Sequence, residues 1–263
     1  MTESQIRFDD GAGYERMMGT WSRLAGKTFI DWLAPPSGLK WIDVGCGNGA
    51  FSELLVERCA PAEVQGIDPS EGQLAFARTR PAARFAKFGR GDAMALPFPD
   101  DAFDAATMAL VIFFVPDPAK GVAEMVRVVR PGGMVATYAW DVFGGGHPLE
   151  PIQAEMRALG VTPPLRPSLG ASRMEALRDL WTGAGLDAVE TREITVQRTF
   201  ADFDDFWTTS LLGASTGSTI AAMMASGDAE LLKTRLRARL RADAAGRITY
   251  GARTNSVKGR VPK

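Results

Sequence analysis

The 263-residue chain is poor in the residues that build metal and disulfide frameworks: it holds one histidine, two cysteines and three tyrosines. A single histidine leaves no metal cluster, and two cysteines, Cys46 within a glycine-rich turn and Cys59 at the end of the helix after it, do not make a disulfide scaffold, which fits a reduced cytosolic setting. No window approaches the ~18 apolar residues of a membrane span, and Met1 to Asp10 is polar and charged, so neither stable membrane insertion nor a signal peptide is expected. A net charge of −1 gives no general attraction to polyanions. What the chain does have is glycine, 28 residues of it, and three stand at alternate positions in Asp43-Val44-Gly45-Cys46-Gly47-Asn48-Gly49.

The physics of that stretch is direct. Trp41-Ile42-Asp43-Val44 is short, apolar and β-prone, and a helical run from Phe51 to Cys59 follows almost at once. The chain must reverse at the carboxyl end of a buried parallel strand. Gly45, Gly47 and Gly49 allow positive φ there and carry no Cβ to hold a ligand away from the backbone. One βαβ step later Asp68 ends a second strand, Glu63 to Ile67, where a carboxylate would accept hydrogen bonds from ribose hydroxyls. The spacing G-x-G-x-G differs from the dinucleotide fingerprint, and no Gly-Lys-Ser/Thr follows to make a phosphate loop.

Alternation of strands and helices continues along the chain. Further strands are predicted over Arg84 to Phe88, Asp104 to Leu110, Met134 to Trp140, Val189 to Val196 and Arg247 to Val261. Helices are predicted over Tyr14 to Leu33, Glu71 to Thr79, Pro118 to Val129 and Arg173 to Ala184. The basic run Lys233, Arg235, Arg237, Arg239, Arg241 carries Leu232, Leu236 and Leu240 at i, i+4, i+8, so it reads as a solvated helix face over an apolar stripe rather than a nucleic-acid surface.

Four motifs in order, the glycine turn, Gly66-Ile67-Asp68-Pro69-Ser70, Gly91-Asp92-Ala93-Met94-Ala95-Leu96-Pro97-Phe98 and Arg127-Val128-Val129-Arg130-Pro131-Gly132-Gly133, resemble class I S-adenosylmethionine-dependent methyltransferases. The small-molecule branch that includes the ubiquinone and menaquinone biosynthesis methyltransferases is the nearest in pattern, over about residues 40 to 140. The resemblance implies an α/β, Rossmann-like, doubly wound sheet of seven mostly parallel strands with a helical lid. It is read as one methyltransferase domain over 1–263, with its core at about 38–142, 171–199 and 246–263 and its lid at about 1–37, 143–170 and 200–245. It further implies S-adenosyl-L-methionine as methyl donor, S-adenosyl-L-homocysteine as product, and a small-molecule acceptor. A cytoplasmic enzyme is expected, with no nucleic-acid partner.

Residue by residue, the resemblance assigns cofactor roles to Gly45 and Gly47 in the turn, to Asp68 at the ribose and to Asp92 with the amide of Ala93 at the adenine. Asp92 has an alternative as a helix N-cap. Asp43 is read as orienting the turn or receiving the ammonium of the donor, and Gln73 as reaching a ribose hydroxyl or lying in solvent. Leu110 would touch the methionine end through its backbone. In Tyr14-x-x-x-Met18-Gly19-x-Trp21-Ser22 the tyrosine would cover the cofactor, whereas Met18 and Trp21 fit equally well as core residues. His147 is a general-base candidate beside the alternative of an exposed loop residue. Phe113-Phe114 stands where many relatives carry His-His, which points to an apolar acceptor pocket. A binding protein that has lost methyl transfer, and a nicotinamide-dependent oxidoreductase, are the competing classes.

Overall fold

In the computed structural model, the structure describes residues 13, 15–161, 166–212, 217, 219–223 and 227–263. Seven strands form one sheet in the order β3-β2-β1-β4-β5-β7-β6: β1 Lys40–Val44, β2 Glu63–Asp68, β3 Ala86–Arg90, β4 Phe103–Ala109, β5 Val129–Trp140, β6 Asp187–Phe200 and β7 Ile248–Arg260. The first five are parallel, and β7 runs antiparallel to both β5 and β6. This is the expected seven-stranded, mostly parallel, doubly wound sheet. Its order reverses at β1, so the crevice at the carboxyl ends of β1 and β4 is the topological switch point where such sheets take ligands.

Eight helices matter to the account: α1 Thr20–Leu33, α2 Ala50–Cys59, α3 Glu71–Ala77, α4 Pro118–Val128, α5 Glu150–Ala158, α6 Met174–Gly183, α7 Phe203–Leu211 and α8 Asp228–Arg239. Side chains alternate along β5, so Tyr138 and Val135 point to opposite faces of the sheet. Tyr138 packs with Phe29 of α1 at 4.6 Å and Phe51 of α2 at 5.8 Å between ring centroids. On the other face Trp181 of α6 lies beside Gly259, the β7 partner of Val135, and its indole donates to the Val135 carbonyl at 2.9 Å. Helix α1, expected within the lid, buries Trp21, Ala25, Phe29 and Leu33 in the core and packs on α2, β6 and β7. It is a flanking layer of the sheet, because its apolar stripe has the sheet to bury against.

Two strands are longer than their sequence pattern indicates. β5 begins at Val129, since Val129 pairs with Phe103 before the register shifts and the ladder resumes at Met134. β6 runs on past Val196 to Phe200. Trp140, at the end of β5, pairs with Thr254 of β7, yet β6 and β7 remain paired for six more steps, from Thr195 with Arg253 to Phe200 with Ile248. A two-stranded ribbon of about 20 Å therefore overhangs the carboxyl edge of the sheet. The segment carrying α7 and α8 joins the two strands at the tip of this ribbon. Helix α8 packs on α5, buries Leu232 and Leu236 and exposes Arg235, Arg237 and Arg239, the arrangement read from its i, i+4, i+8 spacing.

Phe29 is fully buried among Trp32, Phe51 and Tyr138, so Phe29→Ala is expected to lower the unfolding free energy by about 3–5 kcal/mol. Urea denaturation measures this, and a loss below about 1 kcal/mol contradicts a core role for α1.

Candidate cofactor and acceptor site

The chain reversal after β1 is held by one acceptor: the amides of Gly45 and Cys46 both donate to the Ile67 carbonyl, at 2.7 and 3.0 Å. The three glycines serve different ends. Gly45, at φ +73°, has no room for a Cβ, which would meet the Val111 side chain at 2.5 Å. Gly49, at φ +79°, caps α2 and lies against Ala77 and Phe88. Gly47, at φ +52°, faces open space, with only the Gln73 side-chain oxygen within 4 Å of a Cβ built there. A ligand can therefore approach the backbone at Gly47, and Gln73, which is buried rather than solvated, borders that space.

Asp68 joins turn to strand. One carboxylate oxygen accepts from the Gly47 amide and the other from the Ser70 amide, both at 2.9 Å. Burial raises its pKa, against the lowering effect of those two amides. Asp43, at the end of β1, is fully buried. One of its oxygens accepts from the Ser52 hydroxyl at 2.6 Å, and the other, Oδ1, has no hydrogen-bond partner among the described residues. Desolvation, and then repulsion from Asp68, push the Asp43 carboxyl up to about 7 against the pull of the Ser52 hydrogen bond. A buried carboxylate oxygen with no donor is costly, and a ligand cation beside it removes that cost.

Neighbouring loops close the rim. The Gly91 amide donates to the Asp68 carbonyl, which sets the Asp92 turn beside the ribose candidate. Asp92 is exposed and accepts from the Met94 amide at 2.8 Å, so it caps a tight turn that contains Ala93, rather than a helix. Glu124 and Arg127 of α4 brace this loop through the Leu96 amide and the Leu96 and Phe98 carbonyls. Sequence reasoning missed this brace, although the Glu124/Arg127 i,i+3 spacing carries a signal for it. Leu110 adopts φ +63° with its amide bonded to the Tyr138 carbonyl at 2.8 Å, an unusual conformation for a leucine and one that clusters at functional sites. Phe113 and Phe114 follow, 4.8 Å apart, with the Arg166 guanidinium over both rings.

Three expectations need correction or lie elsewhere. His147 is not exposed: it is 2% exposed, its Nδ1 accepts from the Leu149 amide at 3.1 Å and its Nε2 faces Arg166 Nη2 at 3.2 Å. Both ring nitrogens are engaged, and burial followed by the Arg166 charge holds the imidazole well below its usual pKa. The glycine loop before it is pinned by Asp141 and Arg253, whose side chains and backbones bond Gly144 and Gly146. Trp21 is buried with its ring 5.1 Å from Tyr250, in an aromatic group with Phe200 and Phe206, and Met18 is buried too, which favours the core reading for both. Tyr14 lies outside the described residues.

A carboxyl whose folded pKa is raised favours the folded state most where both states are protonated. The contribution of Asp43 is thus fully present below about pH 4 and is lost as pH rises to about 7. Without ligand, wild type is expected to lose stability relative to Asp43→Asn over that interval, measured by denaturant titration at several pH values. A constant difference between the two proteins across the interval contradicts the raised pKa.

Comparison with known proteins agrees with this geometry. A family model described as a methyltransferase domain matches residues 42–137. The chain is 39% identical over 116 residues to a demethylmenaquinone methyltransferase of Desulfitobacterium hafniense, a stretch covering 42% of this chain and 46% of that protein. The chain thus spans under half the length of this curated relative. A Haemonchus contortus phosphoethanolamine N-methyltransferase 2 in complex with S-adenosyl-L-methionine superposes with a TM-score of 0.60 at 18% identity, covering 99% of this chain and 59% of that one. The [4+2]-cyclase SpnF gives 0.56 at 21% identity, covering 92% and 80%. At such identities these structures speak for the fold alone. Residues 42–137 thus resemble a methyltransferase domain, and the seven-stranded sheet around them has the fold of solved methyltransferases.

Proposed function

We propose that this chain transfers the methyl group of S-adenosyl-L-methionine to a small, partly apolar acceptor by direct in-line displacement, releasing S-adenosyl-L-homocysteine. The observation that carries the reading is the unsatisfied oxygen of buried Asp43 beside a glycine turn whose Gly47 faces open space. The donor supplies a methyl group already attached to a sulfonium leaving group. What the chain supplies is placement and exclusion of water.

In this reading Asp43, once ionised, holds the donor's ammonium, and Asp68 accepts from the ribose hydroxyls with lone pairs not used by the Gly47 and Ser70 amides. Gln73 borders the ribose, and Asp92 with the Ala93 amide receives the adenine. Leu110 presents backbone to the methionine end. Phe113 and Phe114 offer an apolar wall to the acceptor, and the segments carrying α5, α7 and α8 serve as its lid. The relative's name, demethylmenaquinone methyltransferase, makes a quinone-type ring the first acceptor class to try. Among the described residues no helix is long and apolar enough to cross a membrane.

Isothermal calorimetry with S-adenosyl-L-homocysteine and with NAD separates this reading from an oxidoreductase. Binding of the former and none of the latter is expected, and the reverse sinks the proposal. Asp68→Ala should weaken S-adenosyl-L-homocysteine by about 1–3 kcal/mol, and an unchanged affinity removes its ribose role. Because the donor's ammonium needs ionised Asp43, affinity should rise with pH through about 7, with proton release on binding. Asp43→Asn should bind more weakly and lose that slope; a pH-independent wild type contradicts the ammonium assignment.

A further inference from the structure

The first described turn of the chain is fastened at both ends across the carboxyl edge of the sheet. Residues Glu15–Gly19 form a short π-helical turn ahead of α1. At one end the Glu15 carboxylate accepts from the Asn48 side-chain amide at 2.9 Å, and Asn48 lies between Gly47 and Gly49 in the cofactor turn. The same carboxylate pairs with Arg80, which also donates to the Asn48 carbonyl at 2.6 Å and to Glu53 of α2 at 2.9 Å. At the other end Arg198, on the overhanging ribbon, donates to the Met17 and Arg16 carbonyls at 2.9 and 3.2 Å and covers the Phe200 ring at 4.4 Å. The turn therefore bridges from the β1 side of the crevice to the ribbon that overhangs it.

The two ends are unequal. Arg80 is mostly buried and Glu53 buried, and Arg198 holds backbone carbonyls. Glu15 is 29% exposed on its side chain and contributes a single carboxylate. Its path is a built one: a Cβ on Gly19 would stand 2.6 Å from the Glu15 carboxyl carbon, so only glycine lets the carboxylate fold back along its own turn to reach Asn48 and Arg80. Gly19 has φ −55°, where any residue is comfortable, so the glycine serves this passage and not a backbone need.

We propose that the Glu15–Arg80–Asn48 contact is a latch whose opening sets the rate at which the methyl donor enters and its product leaves. This rests on the cofactor reading above. Glu15 and Arg80 are then positioning residues: they act on the ligand through the glycine turn and the bridge over it. Breaking the latch should speed passage in both directions, whereas loss of an ordinary ligand contact speeds only departure.

Stopped-flow mixing with S-adenosyl-L-homocysteine, followed by tryptophan fluorescence, tests this. Glu15→Gln keeps the shape and removes the charge facing Arg80; it is expected to raise both association and dissociation rates about tenfold, with Kd moving less than about threefold. Gly19→Ala displaces the same carboxylate and should act in the same direction, and it decides the matter if Glu15→Gln does not fold. Asp31→Asn, which removes an exposed pair with Arg58 between α1 and α2, should leave both rates unchanged. Rates within twofold of wild type in the two latch variants overturn the latch, as does faster dissociation with unchanged association. Failure of the wild type to bind S-adenosyl-L-homocysteine overturns the cofactor reading itself.

Discussion

Everything at this site follows from the chain having to reverse at the carboxyl end of β1 with no side chains in the way. The Ile67 carbonyl takes the amides of both Gly45 and Cys46, so the turn is tied to β2 before it has begun to climb into α2. That tie leaves Gly45 against Val111 of the neighbouring strand end and turns Gly47 toward open space. It also brings Asp43 and Asp68, the last acidic residues of adjacent strands, close enough for their charges to oppose each other. Two carboxylates so placed, one tied to amides and one with an unused oxygen, make a site that is better satisfied with a hydroxyl-bearing cation in it than without one.

The second constraint is geometric. Because β6 and β7 stay paired well past the end of β5, the sheet grows a ribbon over its own ligand edge, and the α7–α8 segment is delivered there. Arg198 on the ribbon and Asn48 in the glycine turn then hold opposite ends of one short N-terminal turn. The cofactor edge is roofed by a segment distant in sequence from both of its anchors.

How far the sequence discloses this depends on the range of each interaction. The glycine turn, the strand before it and the helix after it are local, and their spacing alone places Gly45, Gly47 and Asp68. The extent of β6 is less legible, since Gln197, Arg198 and Thr199 are three polar residues in a row after Val196 and read as a strand end. Burial of His147 is not legible at all: a histidine after three glycines reads as exposed loop, and that loop is locked by Asp141 together with Arg253, which comes from a strand more than 100 residues away. Arg80 and Glu15 stand 65 residues apart, with no pattern to relate them. Trp21 is ambiguous in the sequence for a physical reason: an aromatic residue on an amphipathic helix serves core or ligand equally until its neighbours are known.

The central claim is that the turn at Gly45–Gly49 with Asp43, Asp68 and Asp92 is one methyl-donor site. The most direct measurement is a crystal structure of the chain with S-adenosyl-L-homocysteine. The account predicts density with the ammonium at Asp43 Oδ1, the ribose hydroxyls on Asp68 and the adenine beside the Asp92–Ala93 turn. Ligand density anywhere else, or an Asp43 oxygen that stays unpartnered with ligand bound, contradicts it.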